Sequence, residues 1–212
     1  MPSSNQELSA DSIFVAGFLN RLEISLEELE EALQASASLR GILIGYLAER
    51  KAVEMFFEAY HPAKPDDHDR SSKGDRIITY EGVSIRVEVK SLQSNSVRQT
   101  ESGDYTGRFQ CDASDSRMTT LQNGARLKTV CLAVGGFDLL AVNLFEFGQK
   151  WRFAFVHNFD LPRSTYRNYT PAQQRYLLQT TPKITWPLQP PYEPEPWALL
   201  DRIVREKSSR KR

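Results

Sequence analysis

Cysteine, histidine and methionine are scarce in this chain of 212 residues, with two, three and three copies. Cys111 and Cys131 have no CxxC spacing, which excludes a zinc knuckle and a disulfide framework and suits a reducing cytoplasm. His61, His68 and His157 form no HExxH pattern and have no evident nucleophile partner, so a zinc hydrolase or a histidine-based triad has no support. Long apolar runs are also missing. The most apolar stretch, residues 130–145, is interrupted by Gly135, Gly136, Asp138 and Asn143, so no membrane span is expected. The opening MPSSNQELSADS lacks a basic region followed by an apolar one, and no secretory signal is expected from it. Net charge is absent too: 27 basic residues balance 27 acidic ones, which excludes capture of nucleic acid by bulk positive charge. Any contact with nucleic acid must be local.

The charge is unevenly placed. Residues 1–35 carry seven acids and one base, whereas residues 146–212 carry twelve bases and six acids, so the back third is the expected phosphate-facing region. With 40% hydrophobic residues the chain can bury a core as one domain, or as one with a small appendage. The expected organisation is an acidic helical segment 1–36, a core 37–160 with a polar insert 91–126, and a basic, irregular C-terminal extension 161–212.

Periodicity supplies the elements. Residues 11–35 read as helical, with Ser25 and Glu28 as a capping box before a Leu26, Leu29, Leu33 stripe. A longer helix is expected over residues 39–60, ending at His61-Pro62. After a polar loop, residues 75–80 and 83–90 read as a hairpin turned by Glu81-Gly82. Residues 91–126 show little periodicity and are too long for an idle connection, which marks a binding loop or recognition insert. Further strands are expected over 127–134, 137–145 and 151–156, then short helices near 171–179 and 197–206 flanking an extended Pro-rich stretch. The sum is an α/β fold, a mixed sheet of about five strands flanked by helices.

The chemistry gathers on the hairpin. Alternation places Val83, Ile85, Val87 and Val89 on one face of the second strand and Ser84, Arg86, Glu88 and Lys90 on the other. Asp75 opens the first strand, so a tight hairpin brings it beside Glu88. Two carboxylates hold a hard divalent cation such as Mg2+, with Mn2+ able to substitute, and the cation polarises a phosphate and acidifies a bound water. Lys90 can orient that water or stabilise phosphorane charge. The alternative is a surface strand whose charges are merely solvated. A second E-x-K, Glu49-Arg50-Lys51, lies on a helix where its ends diverge by roughly 200° and cannot focus on one point. Glu49 falls among Ile42, Tyr46, Val53, Phe56 and Tyr60, the only acid on that apolar face. A carboxylate there needs a metal or a buried base such as Arg86.

The strings GILIGYLAERKAVEMFF and KGDRIITYEGVSIRVEVKS together resemble the PD-(D/E)xK superfamily, which includes many type II restriction endonucleases. The resemblance covers residues 41–91 and implies a restriction-endonuclease-like fold. It implies metal binding by Asp75, Glu88 and the Val89 backbone carbonyl, a catalytic Lys90, and Glu49 assisting from the preceding helix. Gly74 stands where that motif has proline. The activity so implied is Mg2+-dependent cleavage of double-stranded DNA by a type II restriction enzyme; a repair nuclease, a junction resolvase or a non-catalytic DNA-binding module of the same fold are the alternatives. One site per chain and two strands to cut imply a homodimer.

Base-reading or phosphate-clamping side chains are abundant in the insert, among them Gln93, Arg98, Arg108, Arg117 and Arg126. Arg163 and Arg167, interleaved with Tyr166 and Tyr169, form a second basic stretch. The acidic run Asp66-Asp67-His68-Asp69 lacks the EF-hand pattern, and Lys207 with the residues after it reads as a disordered tail.

Overall fold

The structure is a computed structural model that describes residues 17–63 and 74–209. The acidic run at 66–69 and residues 210–212 lie outside the described residues. The described residues divide into two compact units, with the boundary between Ile44 and Gly45.

In the first unit, residues 17–22 are helical and Glu23, at φ +55°, ends the helix. Helix α1 (Leu26–Ala35) starts afresh on the expected capping box: the Ser25 N–H donates to Glu28 Oε2 at 2.7 Å and the Glu28 N–H to Ser25 Oγ at 3.1 Å. No α1 residue is buried. Helix α2 (Ala37–Ala52) follows, with Ser36 Oγ accepting from the Leu39 N–H.

The second unit is built on a mixed four-stranded sheet. Strands β1 (Arg76–Tyr80) and β2 (Val83–Ser91) are antiparallel, β2 runs parallel to β7 (Leu139–Asn143), and β7 is antiparallel to β8 (Phe153–His157). The β1–β2 turn uses Glu81 at φ +48° and Gly82 at φ +72°, the double left-handed conformation of a two-residue hairpin. Four strands rather than five form this sheet. Residues 126–131, expected to be the fifth, are instead β6 (Arg126–Cys131), paired with β5 (Asp112–Thr120) in a separate ribbon. A three-stranded sheet joins β3 (Arg98–Gln99), β4 (Tyr105–Arg108) and β9 (Lys183–Trp186). The insert therefore holds strands, and the C-terminal region supplies β9, the short helix α3 (Pro171–Gln174) and helix α4 (Trp197–Ser209) rather than an irregular tail.

Alternation divides the core between the two faces of the main sheet. Ile85, Val87, Val89, Leu139, Ala141, Phe153 and Phe155 pack with Ala48, Ala52 and Phe57 and with Leu199, Leu200 and Ile203 of α4. Leu140, Val142, Ala154 and Val156 face the opposite way, onto Leu92, Phe109, Cys111 and Ile184. The helix after residue 52 widens into a π turn, Val53–Phe57, before a tight turn at Glu58–Tyr60. The extra residue in that turn shifts the helical phase. Ile42 and Tyr46, expected on the buried face with Phe56, are accordingly 60% and 57% exposed, and Ala48 and Ala52 are buried instead.

Polar bonds fasten α4 to the sheet. Tyr80 Oη donates to Asp201 at 2.9 Å, Arg202 binds Asp160 and Glu206, and Lys207 Nζ reaches Asp138 at 2.6 Å and the Ser84 carbonyl at 2.7 Å. Lys207 is thus a structural anchor and not part of a loose tail. Glu206 also faces His157 Nε2 at 3.4 Å, while His157 Nδ1 accepts from the Phe159 N–H. Burial lowers the His157 pKa below its ordinary 6.5, with Arg202 adding to the effect and Glu206, Asp160 and Asp138 opposing it. A depressed folded value means that His157 contributes stability present above pH 6.5 and lost as pH falls through the folded value. Relative to His157→Gln, the wild type is expected to lose melting temperature on acidification below about pH 6.5, read as the difference between the two thermal melt series. No helix among the described residues is long and apolar enough to cross a membrane.

Candidate active site

The β1–β2 hairpin fixes the acids. Asp75, immediately before β1, donates its N–H to the Val87 carbonyl at 2.9 Å, and its Oδ2 accepts from the Val89 N–H at 2.7 Å. These two bonds straddle Glu88. A strand residue turns its N–H and C=O to the same edge, so the Val89 carbonyl faces the edge that Asp75 occupies. Gly74, at φ +86°, lets the chain enter this arrangement, and a Cβ there would stand 3.2 Å from the Val87 carbonyl oxygen. Proline, locked near φ −65°, cannot take that conformation.

Glu88 is 8% exposed, and its Oε1 holds the Lys90 ammonium at 2.8 Å. Burial, then the Glu88 charge, pushes the Asp75 carboxyl up to about 7; Lys90 and the Val89 N–H oppose this, and Glu49 adds a little to the rise. Burial works against the Lys90 ammonium, yet Glu88 and Asp75 outweigh it, so its pKa is raised and Lys90 stays protonated at neutral pH. It can donate and attract.

Glu49 is held by Arg76, with Nη1 to Oε2 at 2.8 Å, and the same nitrogen donates to the Asp75 carbonyl at 2.7 Å. The buried base is therefore Arg76 rather than Arg86, which pairs with Asp138. Arg76 ties the helix acid to the backbone of Asp75. Sequence reading missed it, although an arginine next to Asp75 in a half-buried strand was the signal. Cys111 was missed as well: burial drives its thiol up to about 12, and Lys90 and Glu88 lead the charges acting on it. It walls the site on the sheet face opposite the helices.

Among the described residues no group of three or more His, Cys, Asp or Glu gathers that could hold a metal. The available set is two carboxylates and one carbonyl, all oxygen. That set fits Mg2+, which takes one or two protein carboxylates and completes its shell with water and phosphate oxygens. The raised Asp75 pKa fits too, since two crowded carboxylates are what a bound cation neutralises.

The expected DNA contacts scatter over three places. Gln93, Arg98 and Arg108 sit in and around the three-stranded sheet; Gln93 is half-buried, with its N–H on the Arg108 carbonyl. Arg98 is exposed and bonds the Asn95 and Val97 carbonyls, and Arg108 is exposed and bonds the Thr181 carbonyl. Arg117 is exposed on β5. Arg163 bonds the carbonyls of Leu161 and Phe159, so its guanidinium is committed to the fold. Arg167 lines a shallow depression with Ser164, Tyr166, Asn168 and Gln179.

No protein-family model and no curated protein matches the sequence. Among solved structures, a bacterial homing endonuclease aligns over 67% of this chain and 88% of its own, with a TM-score of 0.34 and 20% sequence identity.

Proposed function

We propose that the chain is a Mg2+-dependent DNA endonuclease that hydrolyses phosphodiester bonds in duplex DNA, in the manner of a type II restriction enzyme. The observation that carries this reading is the convergence of Asp75, Glu88 and Lys90 at one end of β2, with the acids held together against their own repulsion. Asp75, Glu88 and the Val89 carbonyl would hold the metal. When bound, Mg2+ supplies Lewis acidity toward the scissile phosphate and a more acidic water.

The side chains do the rest. The Val89 N–H fixes one Asp75 oxygen and so orients the other. Lys90, protonated, places positive charge where a phosphorane develops and donates a hydrogen bond to an attacking water or a phosphate oxygen. Arg76 absorbs the Glu49 charge and keeps the hairpin start in place. Two strands require two such sites, so the working form is a homodimer.

Purified protein incubated with several long, unmodified duplex DNAs is expected to give discrete fragments in Mg2+ and none in EDTA. A smear would indicate a nonspecific or repair nuclease. Intact linear DNA beside cut branched junctions would indicate a resolvase. No cleavage together with no divalent-ion binding would leave a non-catalytic module and end the nuclease reading.

A further inference from the structure

The β5–β6 ribbon has one face committed to the fold and one left open. On the committed face, Thr129 Oγ1 meets Tyr169 Oη at 2.7 Å, and Leu121 and Cys131 pack with Leu177, flanked by Leu127, Tyr169 and Tyr176. The register sets Arg117 opposite Thr129 and Thr119 opposite Leu127, all on this side. It sets Met118 opposite Lys128 and Thr120 opposite Arg126, and these four side chains share the other face, where all are exposed. Two are cations, one is a hydroxyl, one is apolar, and none is a carboxylate. In a chain of zero net charge, such a face is a local concentration of what DNA attracts.

The ribbon is placed to use it. Leu92, two residues after Lys90, forms an antiparallel bridge with Phe109, two residues before Cys111, and Cys111 directly precedes β5, so the ribbon springs from beside the candidate active site. A register shift between Asp112 and Arg117 bends it near its root. Beyond the root, β5 runs eight residues to Thr120, at most about 26 Å, or some seven base-pair steps of about 3.4 Å. The major groove, about 12 Å wide, admits a two-stranded ribbon.

We propose that this open face enters the major groove of duplex DNA and reads sequence a few base pairs from the cut. Arg126 donates to the O6 and N7 edge of a guanine, Lys128 to a phosphate beside it, and Met118 packs on a thymine methyl. The assignment deepens the endonuclease reading and rests on it.

Two readouts test it on the full-length chain. Duplex oligonucleotides with a randomised core are cut in Mg2+ and the products sequenced, and affinity for the site so selected is measured by fluorescence anisotropy in EDTA. Arg126→Ala is expected to lose the preference at one base pair and to weaken binding to the selected site roughly 5- to 150-fold. Lys128→Ala should weaken all sequences alike and reduce the salt dependence by about one counterion. Thr119→Ala, on the other face, should keep the wild-type profile. Unchanged profiles and affinities for Arg126→Ala and Lys128→Ala would overturn the proposal and leave the face to solvent or a protein partner. A loss of preference in Thr119→Ala alone would overturn it as well. If the wild-type chain neither binds nor cuts DNA, the endonuclease reading falls first and this one with it.

Discussion

Lys90→Ala is expected to keep duplex DNA bound while slowing its cleavage by a factor of roughly 10² to 10³ or more, the usual cost of removing a positioned donor from a site of developing charge. The ammonium lies 2.8 Å from Glu88 and is held protonated by Glu88 and Asp75. In the proposed mechanism its contribution is a charge and a hydrogen bond in the transition state, absent from ground-state binding, so the rate constant is expected to fall and affinity to hold. Breaking a buried ion pair also costs about 3–5 kcal/mol of stability. Rates must therefore be compared below the melting temperature of the variant. Lys51→Ala, in the helical E-x-K, is the control: Lys51 pairs with Glu54 on the surface, and cleavage should proceed at the wild-type rate. A Lys90→Ala chain that cuts as fast as wild type would remove Lys90 from the mechanism.

Asp75→Asn is expected to make the metal-free protein more stable and inactive at once. The folded pKa of Asp75, about 7, lies above the value of about 3.9 it has when unfolded. The unfolded chain therefore releases this proton first. Stability is fully present below about pH 4, declines as pH rises, and the loss is complete once pH passes the folded value near 7. Asparagine carries no charge to bury and can still accept from the Val89 N–H. The gain above pH 7 is on the order of 2–4 kcal/mol, which corresponds to a rise in melting temperature of about 5–15 °C for a chain of this size. Thermal melts in EDTA at pH 5 and pH 8 check it: the variant's advantage should appear at pH 8 and shrink at pH 5. An equal or lower melting temperature at pH 8 would mean that burial and the Glu88 charge do not raise the Asp75 pKa.

Much of the arrangement around the hairpin was legible because it is local. The alternation of residues 83–90, the Glu81-Gly82 turn and the placement of Asp75 depend on neighbours in sequence, and the structure brings Asp75, Glu88 and Lys90 together as that pattern requires. The capping box at Ser25 is legible for the same reason. What was not legible depends on distant partners. Strand β5, DASDSRMTT, has almost no apolar alternation because one face of the ribbon is open and its root is irregular, so residues 91–126 read as loop. Residues 126–131 then had no visible partner and were assigned to the main sheet. The buried face of α2 was mispredicted where a π turn breaks the 100° step. Arg76 as the partner of Glu49 could not be read from helix periodicity alone.

The anchoring of α4 bears on the order in which the molecule is made. Tyr80 and Asp201 meet across 121 residues, and Lys207 and Ser84 across 123. Contacts this distant close late, because the loop entropy is spent before any of them forms. On the ribosome, the hairpin bearing Asp75 and Glu88 emerges well before α4, and at about 5–20 residues per second the interval is several seconds or more. During it the faces of Ile85, Val87 and Val89 lack part of their helical cover. A nascent chain thus holds Asp75, Glu88 and Lys90 without the packing that fixes their strand until α4 has been translated.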